Sequence, residues 1–223
     1  MHGRSFDKYD KGGAYHWKWY LTNFDGYQDF TNALVDLIPN QGSLIDMGCG
    51  DGLMSYLFFR SGLKVLGIDT SETGIQLAKL VSQMALTKKM GADIKSIQGM
   101  PLTVGNQQDL MPRFEKGELA FTQTSVFDNR DANAFDYLLC AEVIEHVDNP
   151  KKLLDIIHRV TRNFAIITTP DGLLPDGNMS ELGPYDFNVW SKDTFTSLLE
   201  GYNFEFLDLR PGTIGIKLFC QPI

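Results

Sequence analysis

The chain has 223 residues, a formal net charge of −8, and 43% hydrophobic against 22% charged residues. This balance excludes a disordered segment and provides a core that needs no disulfide staples, and the acidic total argues against a broad phosphate-binding surface or a nucleic-acid partner. No apolar run approaches the roughly 18 residues of a bilayer span. No h-region marks a signal peptide, and Cys49, Cys140 and Cys220 lack paired spacing, so a cytoplasmic, reducing setting without zinc is expected.

In chain order, the first feature is a crowd of rings: Tyr9, Tyr15, His16, Trp17, Trp19 and Tyr20. Trp17, Tyr20, Leu21 and Phe24 stand at i, i+3, i+4 and i+7, which predicts the buried stripe of a docking helix. Gly12 and Gly13 supply a hinge before it, and Tyr15, His16 and Trp19 fall off the stripe. Residues 1–40 therefore read as a docking segment or a lid. Next comes LIDMGCGDG (Leu44–Gly52), an apolar strand, a carboxylate at Asp46 and glycines at 48, 50 and 52, directly ahead of a helix. Such a loop lets backbone approach a ligand and presents helix amides to it. Its spacing is GxGxG rather than GxGxxG, and a strand-end carboxylate suits a cationic, phosphate-free ligand better than a pyrophosphate.

Leu53–Arg60 reads as a helix closed by Gly62. VLGID (Val65–Asp69) is a second strand ending in a carboxylate, and Thr70 and Ser71 open a helix carrying Leu77, Leu80, Val81 and Met84. About 45 residues separate this strand from the next, at Glu118–Thr122, where a crossover needs only about a dozen. The excess, about 88–117, reads as an irregular surface insertion. Phe135–Val147 (FDYLLCAEVIEHV) is a strand and turn, and Asn149-Pro150 caps a helix with Leu153, Leu154, Ile157 and Val160. Phe164–Thr169 is a strand buried on both faces. Ser191 caps a helix that stops at Gly201, and Phe204–Leu209 and Ile214–Phe219 are joined too tightly for a parallel crossover, so they pair antiparallel.

The glycine loop, VLGID and FDYLLCAEVIEHV, in this order and spacing, resemble the class I S-adenosylmethionine-dependent methyltransferases. The resemblance implies a single α/β domain over 1–223: a three-layer wound sheet of Rossmann-like type, strand order 3-2-1-4-5-7-6, last strand antiparallel. It further implies S-adenosylmethionine as cofactor, with Asp46, Gly48, Cys49, Gly50 and Gly52 around its methionine portion, Asp69 on the ribose and Thr70 near the adenosine. Thr124–Phe127, including Ser125 and Val126, would pass the adenine edge, although relatives commonly start this turn with Asp. In that family N-terminal segments often close over cofactor and substrate, which makes Tyr15, His16 or Trp19 candidate ligand contacts.

Glu142, Glu145 and His146 stand at i, i+3 and i+4 and share one face if the turn is helical. This ExxEH resembles the metal motif of small-RNA 3′-end 2′-O-methyltransferases, but the later stretch 184–192 offers no second histidine, and a nearly identical EVIEHV occurs in metal-free ubiquinone-biosynthesis O-methyltransferases. No metal is therefore expected. A hydroxyl acceptor benefits from a general base, for which His146, beyond the carboxyl end of a central strand, and His16 compete; Glu142 is a substrate-side candidate. The expected function is methyl transfer to a small hydroxylated acceptor at oxygen. Metal-assisted methylation of RNA 3′ ends and a non-catalytic scaffold of the same fold are the alternatives. Acceptor identity and oligomeric state are not encoded in any motif.

Overall fold

A computed structural model describes residues 8–86, 119–128 and 130–220. The insertion expected at about 88–117 lies outside the described residues. The elements are α1 (Lys8–Gly12), α2 (Tyr15–Thr22), a 3₁₀ turn (Phe24–Gly26), α3 (Tyr27–Asp36), β1 (Ser43–Met47), α4 (Leu53–Ser61), β2 (Lys64–Asp69) and α5 (Glu72–Leu86). After these come β3 (Leu119–Gln123), β4 (Phe135–Ala141), a 3₁₀ turn (Ile144–His146), α6 (Pro150–Val160), β5 (Thr161–Pro170), α7 (Lys192–Leu198), β6 (Asn203–Leu207) and β7 (Thr213–Phe219). The seven strands form one sheet in the order β3-β2-β1-β4-β5-β7-β6, as the sequence resemblance implies. The turn at Pro211 and Gly212 forces β6 and β7 antiparallel, and β7 also runs antiparallel to β5.

Contacts divide the described residues into two compact units. One takes the described residues within Met1–Gln41 and Cys49–Ser125, the other those within Gly42–Gly48 and Val126–Ile223. In the first, β2 and β3 pair in parallel from Val65↔Leu119 to Asp69↔Gln123, and the buried Phe58, Ile68, Leu77 and Val81 form a core between strand and helices. In the second, β1, β4 and β5 are parallel, with Asp46 opposite Leu139 and Leu139 opposite Ile166. Here α6 covers the sheet with Leu153, Leu154, Ile157 and Val160, all fully buried. Its start follows the expected chemistry: Asn149 accepts the Lys152 amide at 2.9 Å, and Pro150 takes a position whose N–H has no helical partner. Ser191 and Thr194 make a reciprocal capping box at the start of α7. Among the described residues, no helix is long and apolar enough to cross a membrane, and all three cysteines are free and buried.

The expected stripe on the N-terminal helix is not formed. Trp17 is buried, but Leu21 is 45% and Phe24 58% exposed. The reason is local backbone: Asn23 and Asp25 both adopt left-handed φ, so α2 ends at Thr22 and Phe24 is turned away from its periodic position. Tyr9 and Ala14 are buried instead.

Loop glycines 48, 50 and 52 have φ of +77°, +52° and +80°. At Gly52 the constraint is double, because a Cβ would lie 2.6 Å from Ala78 Cβ and 2.9 Å from its Cα, in the body of α5. Gly212, also at positive φ, has no atom near its Cβ position. Gly52→Ala is expected to cost about 2–4 kcal/mol, backbone strain plus overpacking, and Gly212→Ala about 1–2 kcal/mol from strain alone. Urea unfolding of both variants checks the difference; equal losses would remove the packing component.

Candidate active site

In the first unit the site is organised by Asp69, the last residue of β2. Its Oδ2 accepts the Gly50 amide at 2.9 Å and its Oδ1 accepts the Ser71 amide at 2.7 Å. One carboxylate thus ties the glycine loop to the entry of α5, and its oxygens retain acceptor capacity for a further donor. Burial raises the Asp69 pKa, while the amides of Ser71 and Gly50 and the nearby His16 pull it back. Cys49 continues the same set of ties, its amide donating to the Ile68 carbonyl at 2.9 Å. Thr124 donates its amide to the Asp69 carbonyl at 2.9 Å, and Gln123 Nε2 donates to the Thr70 carbonyl at 3.1 Å. The turn holding Ser125 is thereby fixed to the end of β2, and Val126 after it is buried.

The N-terminal segment docks on this loop through Tyr9, His16 and Trp17, and the sequence reading had given no site role to Tyr9 or to Asp51. Tyr9 is wedged against Gly50 and Gly74: a Cβ on Gly50 would fall 1.8 Å from the Tyr9 hydroxyl oxygen. Burial, then the neighbouring Tyr15, Asp51 and Asp69, hold the Tyr9 phenol protonated well above its usual range. Asp51 is fully buried. Its Oδ2 accepts the His16 amide at 2.9 Å, its Oδ1 lies 3.2 Å from His16 Nδ1, and its carbonyl accepts the Trp17 indole N–H at 2.9 Å. Around His16 stand Tyr15, Trp19 and Tyr27, with ring centroids 4.0, 5.7 and 6.0 Å away. Asp51 carried a weak signal in the sequence, a carboxylate among three glycines, but its partner lies 35 residues away.

In the second unit, Asp46 is buried in β1 and Gly48 packs so closely on Val143 that a Cβ would meet it at 2.3 Å. Beyond β4, Glu142, Glu145 and His146 do not share a helical face, because Glu142 sits at φ +56° and only Ile144–His146 is helical, as a single 3₁₀ turn. Thr168 brackets Glu142, accepting its amide at the carbonyl and donating its hydroxyl to Oε1, both at 2.9 Å. Thr169 donates to Glu145 Oε2 at 3.1 Å. His146 has Nδ1 2.9 Å from Asp186 Oδ1 and Nε2 3.8 Å from Glu145 Oε1, so both ring nitrogens face carboxylates. The Glu145 carbonyl also accepts the amides of Phe187 and Asn188. Among the described residues no group of three or more His, Cys, Asp or Glu side chains is arranged to hold a metal ion. Asp186, Thr168 and Thr169 were not legible as site residues, since nothing in a strand end or a loop announces its partner.

The family model for the methyltransferase domain matches residues 20–209. The chain belongs to the class I S-adenosylmethionine-dependent methyltransferases. It is 29% identical over 202 residues to the mitochondrial ubiquinone biosynthesis O-methyltransferase of Dictyostelium discoideum, covering 82% of this chain and 56% of that protein. To the ubiquinone biosynthesis O-methyltransferase of Coxiella burnetii it is 26% identical over 131 residues, covering 59% of this chain and 41% of the relative. The chain thus spans about half the length of these curated relatives. Among solved structures, magnesium protoporphyrin IX methyltransferase of Synechocystis PCC 6803 with bound SAM shares the fold at a TM-score of 0.60 and 14% identity, covering 96% of this chain and 93% of that one.

The methyltransferase's loop fits this cofactor. S-adenosylmethionine is cationic at sulfur and at its amino group, and the loop and the end of β2 carry the buried carboxylates of Asp51 and Asp69. A ribose diol matches the paired acceptor oxygens of Asp69.

Glu145 yields a pH prediction. Burial, then the charge of Glu142, pushes its pKa up to about 8 from an ordinary 4.5. The fold therefore favours the protonated acid: its contribution to stability is complete below pH 4.5 and is lost as pH rises towards about 8. Glu145→Gln should gain on the wild type steadily across that window in urea unfolding. A stability difference independent of pH would show that Glu145 is ionised in the fold.

Proposed function

We propose that this protein transfers a methyl group to the oxygen of a small hydroxylated acceptor, with one methyltransferase domain built from both compact units. The observation that carries the cofactor half of this reading is Asp69, its oxygens pinned by Gly50 and Ser71 and its remaining lone pairs suited to two ribose hydroxyls. Cys49, Gly50 and Gly52 line the methionine portion, and Thr70 and Ser125 border the adenosine. Asp46 and Gly48 precede this loop in the chain and Val126 follows Ser125, and the same reading gives them to the cofactor. When bound, S-adenosylmethionine supplies a sulfonium-activated methyl group. The protein's task is then to orient the acceptor and hold its proton.

We assign proton acceptance to His16. Its imidazole borders Asp69 and Asp51, its side chain is 24% exposed, and among the described residues nothing hydrogen-bonds its Nε2. His146, by contrast, has a carboxylate beside each ring nitrogen, at 2.9 and 3.8 Å, and with Glu145 it lies against the loop carrying Asp186. The rings of Tyr15, Trp19 and Tyr27 around His16 favour a planar acceptor. The names of the curated relatives, ubiquinone biosynthesis O-methyltransferases, support oxygen as the methylated atom. Three free, buried cysteines support a reducing, cytoplasmic setting.

Asp69→Ala should weaken S-adenosylhomocysteine binding by about 1.5–3 kcal/mol, the loss of charge-assisted hydrogen bonds, in a folded protein. Titration calorimetry measures this, and unchanged affinity would refute the ribose assignment. With labelled cofactor and a panel of phenols and catechols, the product should carry the label as an O-methyl ether; transfer to nitrogen alone would overturn the acceptor class.

A further inference from the structure

We propose that Asp51 is the positioning residue of His16, fixing the imidazole with its proton on Nδ1 so that the Nε2 lone pair faces outward to take the acceptor's hydroxyl proton. The inference deepens the oxygen-transfer reading and rests on it for the proton that Nε2 takes. The pairing itself stands on geometry alone.

Three observations carry it. First, Asp51 is fully buried and its Oδ1 lies 3.2 Å from His16 Nδ1, within reach of a ring proton carried there. A buried carboxylate oxygen without a donor is costly, so the carboxylate selects the tautomer that supplies one. Second, the imidazole cannot swing freely. The His16 amide is held by Asp51 Oδ2 and the next residue, Trp17, by the Asp51 carbonyl, so backbone and ring of the first turn of α2 are fixed to the same residue. Tyr15 and Tyr27 flank the ring, Tyr27 stacked at 14°. Third, Ala14 at the N-cap of α2 offers no side-chain cap, and the Asp51 carboxylate takes the amide that a capping residue would take.

Proton transfer then balances simply. As the acceptor oxygen bonds to the methyl carbon, its hydroxyl proton passes to Nε2, the ring becomes an imidazolium protonated on both nitrogens, and the Asp51 carboxylate opposite offsets the new charge.

The test reads the tautomer directly, in the full-length protein and without an acceptor. Long-range nitrogen–proton correlation NMR on labelled protein, at a pH where the ring is neutral, distinguishes a proton on Nδ1 from one on Nε2. The signals of His16 are those lost in His16→Gln. We expect the Nδ1–H form in the wild type. In Asp51→Asn the new amide can donate to Nδ1, and the ring should switch to Nε2–H. A wild-type ring in the Nε2–H form, or the same tautomer in both proteins, overturns the proposal. If Asp51→Asn does not fold, the wild-type spectrum decides, since an Nε2–H ring places no proton between Nδ1 and the carboxylate. A purely structural tie would weaken α2 and leave the tautomer where it was. Because no acceptor enters the measurement, this result is separate from any failure of the oxygen-transfer reading.

Discussion

Asp69 sets the conditions under which the rest of the first unit can work. Its carboxylate collects amides from Gly50 and Ser71, so the turn after β1 and the turn after β2 take their shapes around the same two oxygens. The ionised form is desolvated by burial, and the amides that stabilise it are the ones the two loops would otherwise leave without partners. A glycine at position 50 follows from this arrangement, because the chain must turn at φ +52° to deliver its amide while leaving room for the Tyr9 hydroxyl.

The two units handle buried charge differently. In the first, burial raises the Asp69 pKa and the amides of Ser71 and Gly50 oppose that rise. In the second, Glu142 and Glu145 are close enough that burial and mutual repulsion favour a proton on Glu145, while Thr168 and Thr169 donate hydroxyls to them from the end of β5. The left-handed backbone of Glu142 belongs to this arrangement, since both its amide and its carboxylate answer to Thr168. The loop from Gly183 to Asn188 is then anchored twice, by Asp186 on His146 and by two amides on the Glu145 carbonyl.

What was legible in the sequence is what has a local signature. Asn149-Pro150, the Ser191 cap, the Gly62 stop and the tight turn at Pro211-Gly212 are short-range chemistry, and each appears where it was read. Asp69 was legible because it ends an apolar strand a fixed distance after the glycines. The helical face expected for Glu142, Glu145 and His146 failed because their spacing matched a helix that the strand end does not continue into. Phe24 failed similarly, its periodic position lying past a left-handed Asn23. The pairs Asp51 with His16 and Asp186 with His146 join distant parts of the chain, and neither period nor composition records such a pairing.

The borrowed cap on α2 also bears on cooperativity. A helix of 8 residues is too short to persist alone, and its first free amide is satisfied from a loop that folds with the sheet. The N-terminal segment and the 49–52 loop should therefore open as one unit in local unfolding rather than as two independent ones.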